Sequence, residues 1–218
     1  MNFSEAFKFV FQDPDWFKKI IIPGLVGLLI PIVGSLVLVG WGLKVTLNLI
    51  RHNPTPLPSM DFGEDLKRGF KAFVVSLVYS LPILILYIPI IVITALVGDS
   101  NENTMLALVS IASLCFGFLI LVYSIVMALM LPAAYARTVV EDRIGAGLEF
   151  GKVFTMVKNN LVTYLLVVVG MLIANLIGSL GTIVCVIGMF VTIPYAFAIT
   201  GHLTGQSYLE ATKSAAPY

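Results

Sequence analysis

Two histidines, two cysteines and a cluster of three carboxylates are the groups in this chain that could do acid–base, nucleophilic or metal chemistry. Their spacing argues against it. His52 and His202 stand far apart, with no HExxH pattern and no second histidine a helical turn away, so no metal site is expected. Cys115 and Cys185 each sit alone in an apolar run, outside any CxxC or Cys/His spacing, and read as small buried hydrophobes. Asp61, Glu64 and Asp65 could serve as acid and base toward a lipid headgroup. They open a helix beside Lys67, Arg68 and Lys71, however, which is the ordinary composition of a solvated helix start. No GxSxG, Walker-type or GxGxxG loop is present. The expectation is a protein that is not an enzyme, with no catalytic residue, metal or cofactor.

The elements that would have to position any site are membrane elements. Of 218 residues, 59% are hydrophobic and 11% are charged, whereas a soluble domain carries about 25% charged residues. Several apolar runs exceed the roughly 20 residues that cross a hydrocarbon core of about 30 Å. A net charge of +1 without a basic patch gives no reason to expect nucleic acid. The chain reads as a single all-α membrane domain, a polytopic transmembrane helical bundle.

Along the chain, residues 1–15 form an interfacial helix with Phe3, Ala6, Phe7, Val10 and Phe11 on one face, capped by Asn2 and Glu5, and no signal peptide. Packing of this helix on the bundle end is the equal alternative. Asp13 is a plausible cap for the next helix, with Pro14 at its first position. Ile20–Ile50 is longer than one crossing needs and should turn near Pro31, giving six apolar helices; one bent span, and five helices, is the competing count. The first half runs 16–97 with an elbow at 51–71; the second runs 105–204 with an elbow at 143–160; a polar tail fills 205–218.

In the first elbow Arg51 ends a span and Pro54, Pro56 and Pro58 hold the linker extended. Asp61 then caps a helix in a box closed by Glu64, with Glu64 and Arg68 paired one turn apart. Phe62, Leu66, Phe70 and Phe73 line one face of that helix. The second elbow repeats the order: Arg143, a flexible linker, then Phe150, Val153, Phe154, Val157 and Leu161 on one face. Span, elbow and span twice over suggest a weak parallel repeat. Arg51, Lys67, Arg68, Lys71, Arg143, Lys152, Lys158 and Lys213 fall in the elbows and tail, with Arg137 just ahead of the second elbow, while the only charged residues of the Gly98–Thr104 loop are Asp99 and Glu102. The positive-inside rule puts the elbows and the C-terminus in the cytoplasm, and the N-terminus with them if six helices form, in a cell (inner) membrane.

Inside the spans the signals are for packing. Gly170, Ala174 and Gly178 make a small-residue ridge at intervals of four, within the chain or between protomers. Asn175 is the one strongly polar group deep in a span, helped by Ser76, Ser80, Ser113 and Ser124, and is expected to hydrogen-bond a neighbouring helix.

The stretch GWGLKVTLNLIRHNPTPLPSMDFGEDLKRGFKAFVVSLVYSLP resembles an uncharacterised bacterial and archaeal membrane-protein family, domain of unknown function number four-zero-one-three. The resemblance is carried by Gly40-Trp41, Pro56-Leu57-Pro58, Asp61 and Tyr79-Ser80-Leu81-Pro82. Met60 stands where the family has Trp, and Lys44 where Arg is usual. The second half, from LPAAYARTVVEDR onward, is more loosely similar to the membrane domain beside glycerophosphodiester phosphodiesterases. These resemblances imply a fold and no activity. The function expected first is a non-catalytic oligomeric or accessory subunit, whose partners are the lipid bilayer and other membrane-protein subunits or itself. The alternatives are a transporter or lipid-handling protein and, behind it, an enzyme acting on lipid headgroups.

Overall fold

The computed structural model describes residues 1–55, 57–97, 103–183 and 186–213. Pro56, Cys185 and residues 98–102 of the expected Gly98–Thr104 loop lie outside the described residues, and the last two residues of that loop already belong to a helix. Helix α1 (Phe3–Lys8) leads through a 3-10 turn (Phe9–Gln12) into α2 (Trp16–Leu29), followed by α3 (Val33–Ile50), α4 (Phe62–Val97) and α5 (Asn103–Val140). A short α6 (Ile144–Gly147), α7 (Phe150–Asn159), α8 (Leu161–Leu180), a second 3-10 turn (Val186–Gly188) and α9 (Met189–Lys213) complete the chain. No strand occurs among the described residues. Among the described residues, four helices are long and apolar enough to cross a membrane: α3, α4, α5 and α8. The chain turns back between α2 and α3 at Pro31 and Ile32, as the six-helix count requires, but α2 has only 14 residues. At about 1.5 Å per residue it reaches roughly 21 Å, short of a crossing.

The chain divides into two compact units, residues 1–75 with 129–218, and residues 76–128. In the first, α9 is the hub, packed against α8, α3, α2, α1 and α7. Small residues let it serve so many neighbours. Gly201 abuts the Gly42 carbonyl of α3, so closely that a Cβ there would overlap it, and the Thr46 hydroxyl donates to the Gly201 carbonyl over 2.8 Å. The core holds Phe9, Val10, Ile20, Leu38, Trp41, Val45, Leu57 and Ala198. The second unit pairs the C-terminal part of α4 with the N-terminal part of α5, where the Tyr123 hydroxyl donates to the Tyr79 carbonyl over 2.9 Å.

The structure takes one of the two readings of the first helix and changes two further expectations. The first helix packs on the bundle, with Ala6, Phe9 and Val10 buried and the Tyr195 hydroxyl donating to the Phe7 carbonyl. Asp13 is not a helix cap: α2 starts at Trp16, and the buried Asp13 accepts from the Asp15 amide and pairs with Lys19 at 2.6 Å. Residues 214–218 of the expected polar tail lie outside the described residues, and its residues 205–213 are the last turns of α9, with Ser207 and Ala211 buried. Its small polar side chains bond helix carbonyls, as Ser207 does to Thr204, so they enter the interior satisfied.

Candidate functional site

The first elbow is a clasp between α3 and α4. Gly40 and Gly69 bring the two backbones together: a Cβ on Gly40 would overlap the Asp65 carbonyl, and one on Gly69 the Leu36 carbonyl. Asp65, Gly69, Ala72 and Val75 form the packed face of α4, while Phe62, Phe70 and Phe73 point outward. The linker is pinned from α3, where the indole Nε1 of Trp41 donates to the Pro58 carbonyl over 3.0 Å and Lys44 Nζ to the Ser59 carbonyl over 2.9 Å. The elbow begins where α3 ends in a Schellman-type cap. His52 has φ 52°, its amide donates to Leu49, and the Asn53 amide donates to Asn48. His52 and Arg51 therefore serve to stop a helix, and both are exposed.

Asp61 does cap α4, accepting from the Glu64 amide over 3.1 Å. The return bond comes from Asp65 rather than Glu64: its Oδ2 accepts from the Asp61 amide over 2.8 Å. The expected Glu64–Arg68 pair is likewise replaced, because Arg68 binds Asp65 Oδ1 at 2.6 Å. Asp65 is fully buried while Glu64 is exposed. The difference follows from the face each occupies, since Asp65 shares the Gly69–Ala72 stripe pressed on α3.

The second elbow is a charge network. Arg137 donates to the Ala146 carbonyl and pairs with Glu141 at 2.8 Å and Glu149 at 2.6 Å. Arg143 pairs with both carboxylates, and Lys152 holds Glu149 at 3.0 Å. Hydrogen bonds from Lys152 first and Arg143 next hold the Glu149 carboxyl down to about 2. The two elbows are tied to each other. Lys71 Nζ reaches Asp142 at both its carbonyl (2.7 Å) and its carboxylate (2.6 Å), and Asp142 adopts a left-handed φ of 51°. The Lys71 hydrogen bond is also the main cause that lowers the Asp142 carboxyl.

Gly170, Ala174 and Gly178 all face inward. Gly170 meets Leu203 and Phe3, and Gly178 meets Ala196, so the ridge seats α9 and the N-terminal helix of the same chain. Asn175 lies beside that ridge, exposed, and its amide donates to Met171 of its own helix over 2.8 Å rather than to a neighbouring helix. It faces an open cavity of about 410 Å³ between α8 and α9, also lined by Ser179, Thr182 and Thr200. Of the serines grouped with it, Ser80 and Ser124 bond carbonyls of their own helices.

A family described as Protein of unknown function (DUF4013) matches residues 24–199. The chain belongs to the DUF4013 family. Comparison with curated proteins and with solved structures gave no match. The DUF4013 match takes in both elbows and the α8–α9 seam, and leaves out α1, the first 3-10 turn and the last turns of α9.

Beyond the DUF4013 segment lies a site that spacing did not announce. His202 is 4% exposed and stacks on Phe9 with ring centroids 4.4 Å apart. It stands past the apolar run that ends at Thr200. Burial pushes the imidazole down to about 4. Gln206 fixes its tautomer. The Asn2 amide can only donate, so it marks Gln206 Oε1 (2.8 Å); Nε2 then donates to the Asn2 carbonyl (3.0 Å) and meets His202 Nδ1 (3.2 Å). The imidazole proton therefore sits on Nε2. Met1 and Glu210 add an ion pair at 3.3 Å. Periodicity could not show this because the partners come from opposite ends of the chain.

Proposed function

We propose that the protein is a membrane-embedded subunit with no catalysis of its own, acting in an oligomer or as the accessory component of a larger membrane assembly. The observation that carries this reading is Gly117 of α5, which among the described residues has nothing within 4 Å of where a Cβ would stand. Gly170 and Gly178, in contrast, are filled by the chain's own side chains. With Ser113 one turn earlier, Gly117 offers the close-approach surface by which helices associate in bilayers, where apolar area alone gives no drive. The most apolar stretch of α5 has no buried residue. The elbow carboxylates support a structural role, since Asp65, Glu141 and Glu149 are committed to basic partners. On this reading the elbows face the cytoplasm of a cell membrane, by the excess of Lys and Arg there.

The test is native mass analysis after gentle extraction, on the natural chain and on Gly117→Leu. A fixed stoichiometry with itself or with named subunits, lost in Gly117→Leu while melting is unchanged, supports the reading. A lone monomer in both overturns it. A second reading, lipid handling, is favoured by the cavity beside Asn175. It requires one lipid class to stay bound through purification and to be lost in Asn175→Leu.

A further inference from the structure

We propose that the cavity beneath the N-terminal segment binds a small ammonium-bearing polar ligand of the ethanolamine class, as a free solute or as a lipid headgroup. The cavity holds about 220 Å³, roughly seven water volumes, which suits a molecule of about four to eight heavy atoms. Its walls come from α1, the first 3-10 turn, the end of α3, the Asn53–Thr55 linker and α9.

Among the described residues, three polar side chains line it without a hydrogen-bond partner in the protein, the exposed Glu5 and Gln12 and the half-buried Asn48. His202 contributes a defined donor. Gln206 occupies its Nδ1, so the proton is on Nε2. His202 itself lines the cavity, and its Nε2–H makes no hydrogen bond among the described residues.

Charge selects the ligand class. Glu5 is the one ionised group lining the cavity, and no Lys or Arg lines it, so an anion is disfavoured and a cation is matched. A primary ammonium brings three donors for the Glu5 carboxylate and the amide oxygens of Asn48 and Gln12. An oxygen two carbons away then accepts from His202 Nε2–H, and Phe9, Leu49 and Pro54 cover the intervening methylenes. Neutral imidazole serves here better than imidazolium, which would repel the ammonium.

The experiment is titration calorimetry on the full chain in phosphatidylglycerol nanodiscs, with ethanolamine and phosphoethanolamine as probes and sodium acetate and inorganic phosphate as controls. Saturable binding of an amine probe is expected, at least tenfold weaker in Glu5→Gln and in Asn48→Ala, with unliganded melting unchanged in Glu5→Gln. If nanodiscs containing phosphatidylethanolamine abolish probe binding, the ligand is the lipid headgroup; if they do not compete, it is a free solute. Absence of amine binding to folded protein, equal binding by Glu5→Gln, or preferential binding of acetate or phosphate overturns the proposal.

Discussion

Replacing Asp65 by Asn should destabilise the first elbow more than any other single charge change in the protein. The side chain is fully buried, and three partners converge on it: Arg68 at 2.6 Å, the Asp61 amide at 2.8 Å and Lys44 at 4.0 Å. Asparagine keeps the shape and one acceptor for the Asp61 amide, but leaves Arg68 and Lys44 facing each other without a counter-charge. Removing one partner of a buried pair costs about 3–5 kcal/mol. Arg68 and Lys44 remain 17% and 23% exposed and can recover some hydration, which places the loss near the lower bound. A loss of about 3 kcal/mol corresponds to roughly 6–12 °C in Tm for a chain of this size. The assay is thermal unfolding in nanodiscs, followed by the fluorescence of Trp41, whose indole is bonded across the same elbow. Glu64→Gln is the control: Glu64 is exposed, and the change should move Tm by less than about 1 °C. A shift below about 2 °C for Asp65→Asn would refute the reasoning. It would mean that the glycine crossing and the Trp41–Pro58 bond hold the elbow by themselves.

Gly40→Leu should part α3 from α4 and cost more than about 2 kcal/mol, because the obstructing atom is backbone that cannot rotate away. Gly151→Ala has open space and should instead raise stability by up to about 1 kcal/mol; both are read from melting curves. Trp41→Phe strands the carbonyl of the buried Pro58 and should cost about 1–3 kcal/mol in the same assay. Glu149 and Asp142 have depressed carboxyl groups, so their contribution is complete above the ordinary carboxylate range and is lost as pH falls through their folded values, for Glu149 about 2. Amide protection at residues 141–149, measured by hydrogen exchange, should accordingly decline from about pH 4.5 downward and be insensitive to pH between 6 and 8.

Much of the fold is legible in the residues alone, for reasons that need no third dimension. Apolar runs of membrane length form helices because the bilayer leaves backbone groups no other partner. The turn at Pro31, the capping role of Asp61 and the close-packing ridge of Gly170, Ala174 and Gly178 follow from local chemistry and spacing. What escaped is which face of each element turns inward. In water, the greasy face of the α4 start, with Phe62, Phe70 and Phe73, would have packed; in a membrane protein apolarity does not distinguish inside from outside, and close approach decides. The face carrying Gly69 and Ala72 therefore went in and took Asp65 with it, exchanging the expected Glu64–Arg68 pair for a buried one. The tail was misread for a related cause. Its Gly, Ser and Thr residues look solvated in sequence, yet they let α9 sit at the centre of its unit. The proton on His202 was beyond any reading of spacing, because it is set by Gln206, which is set by the Asn2 amide more than two hundred residues earlier, at the other end of the chain.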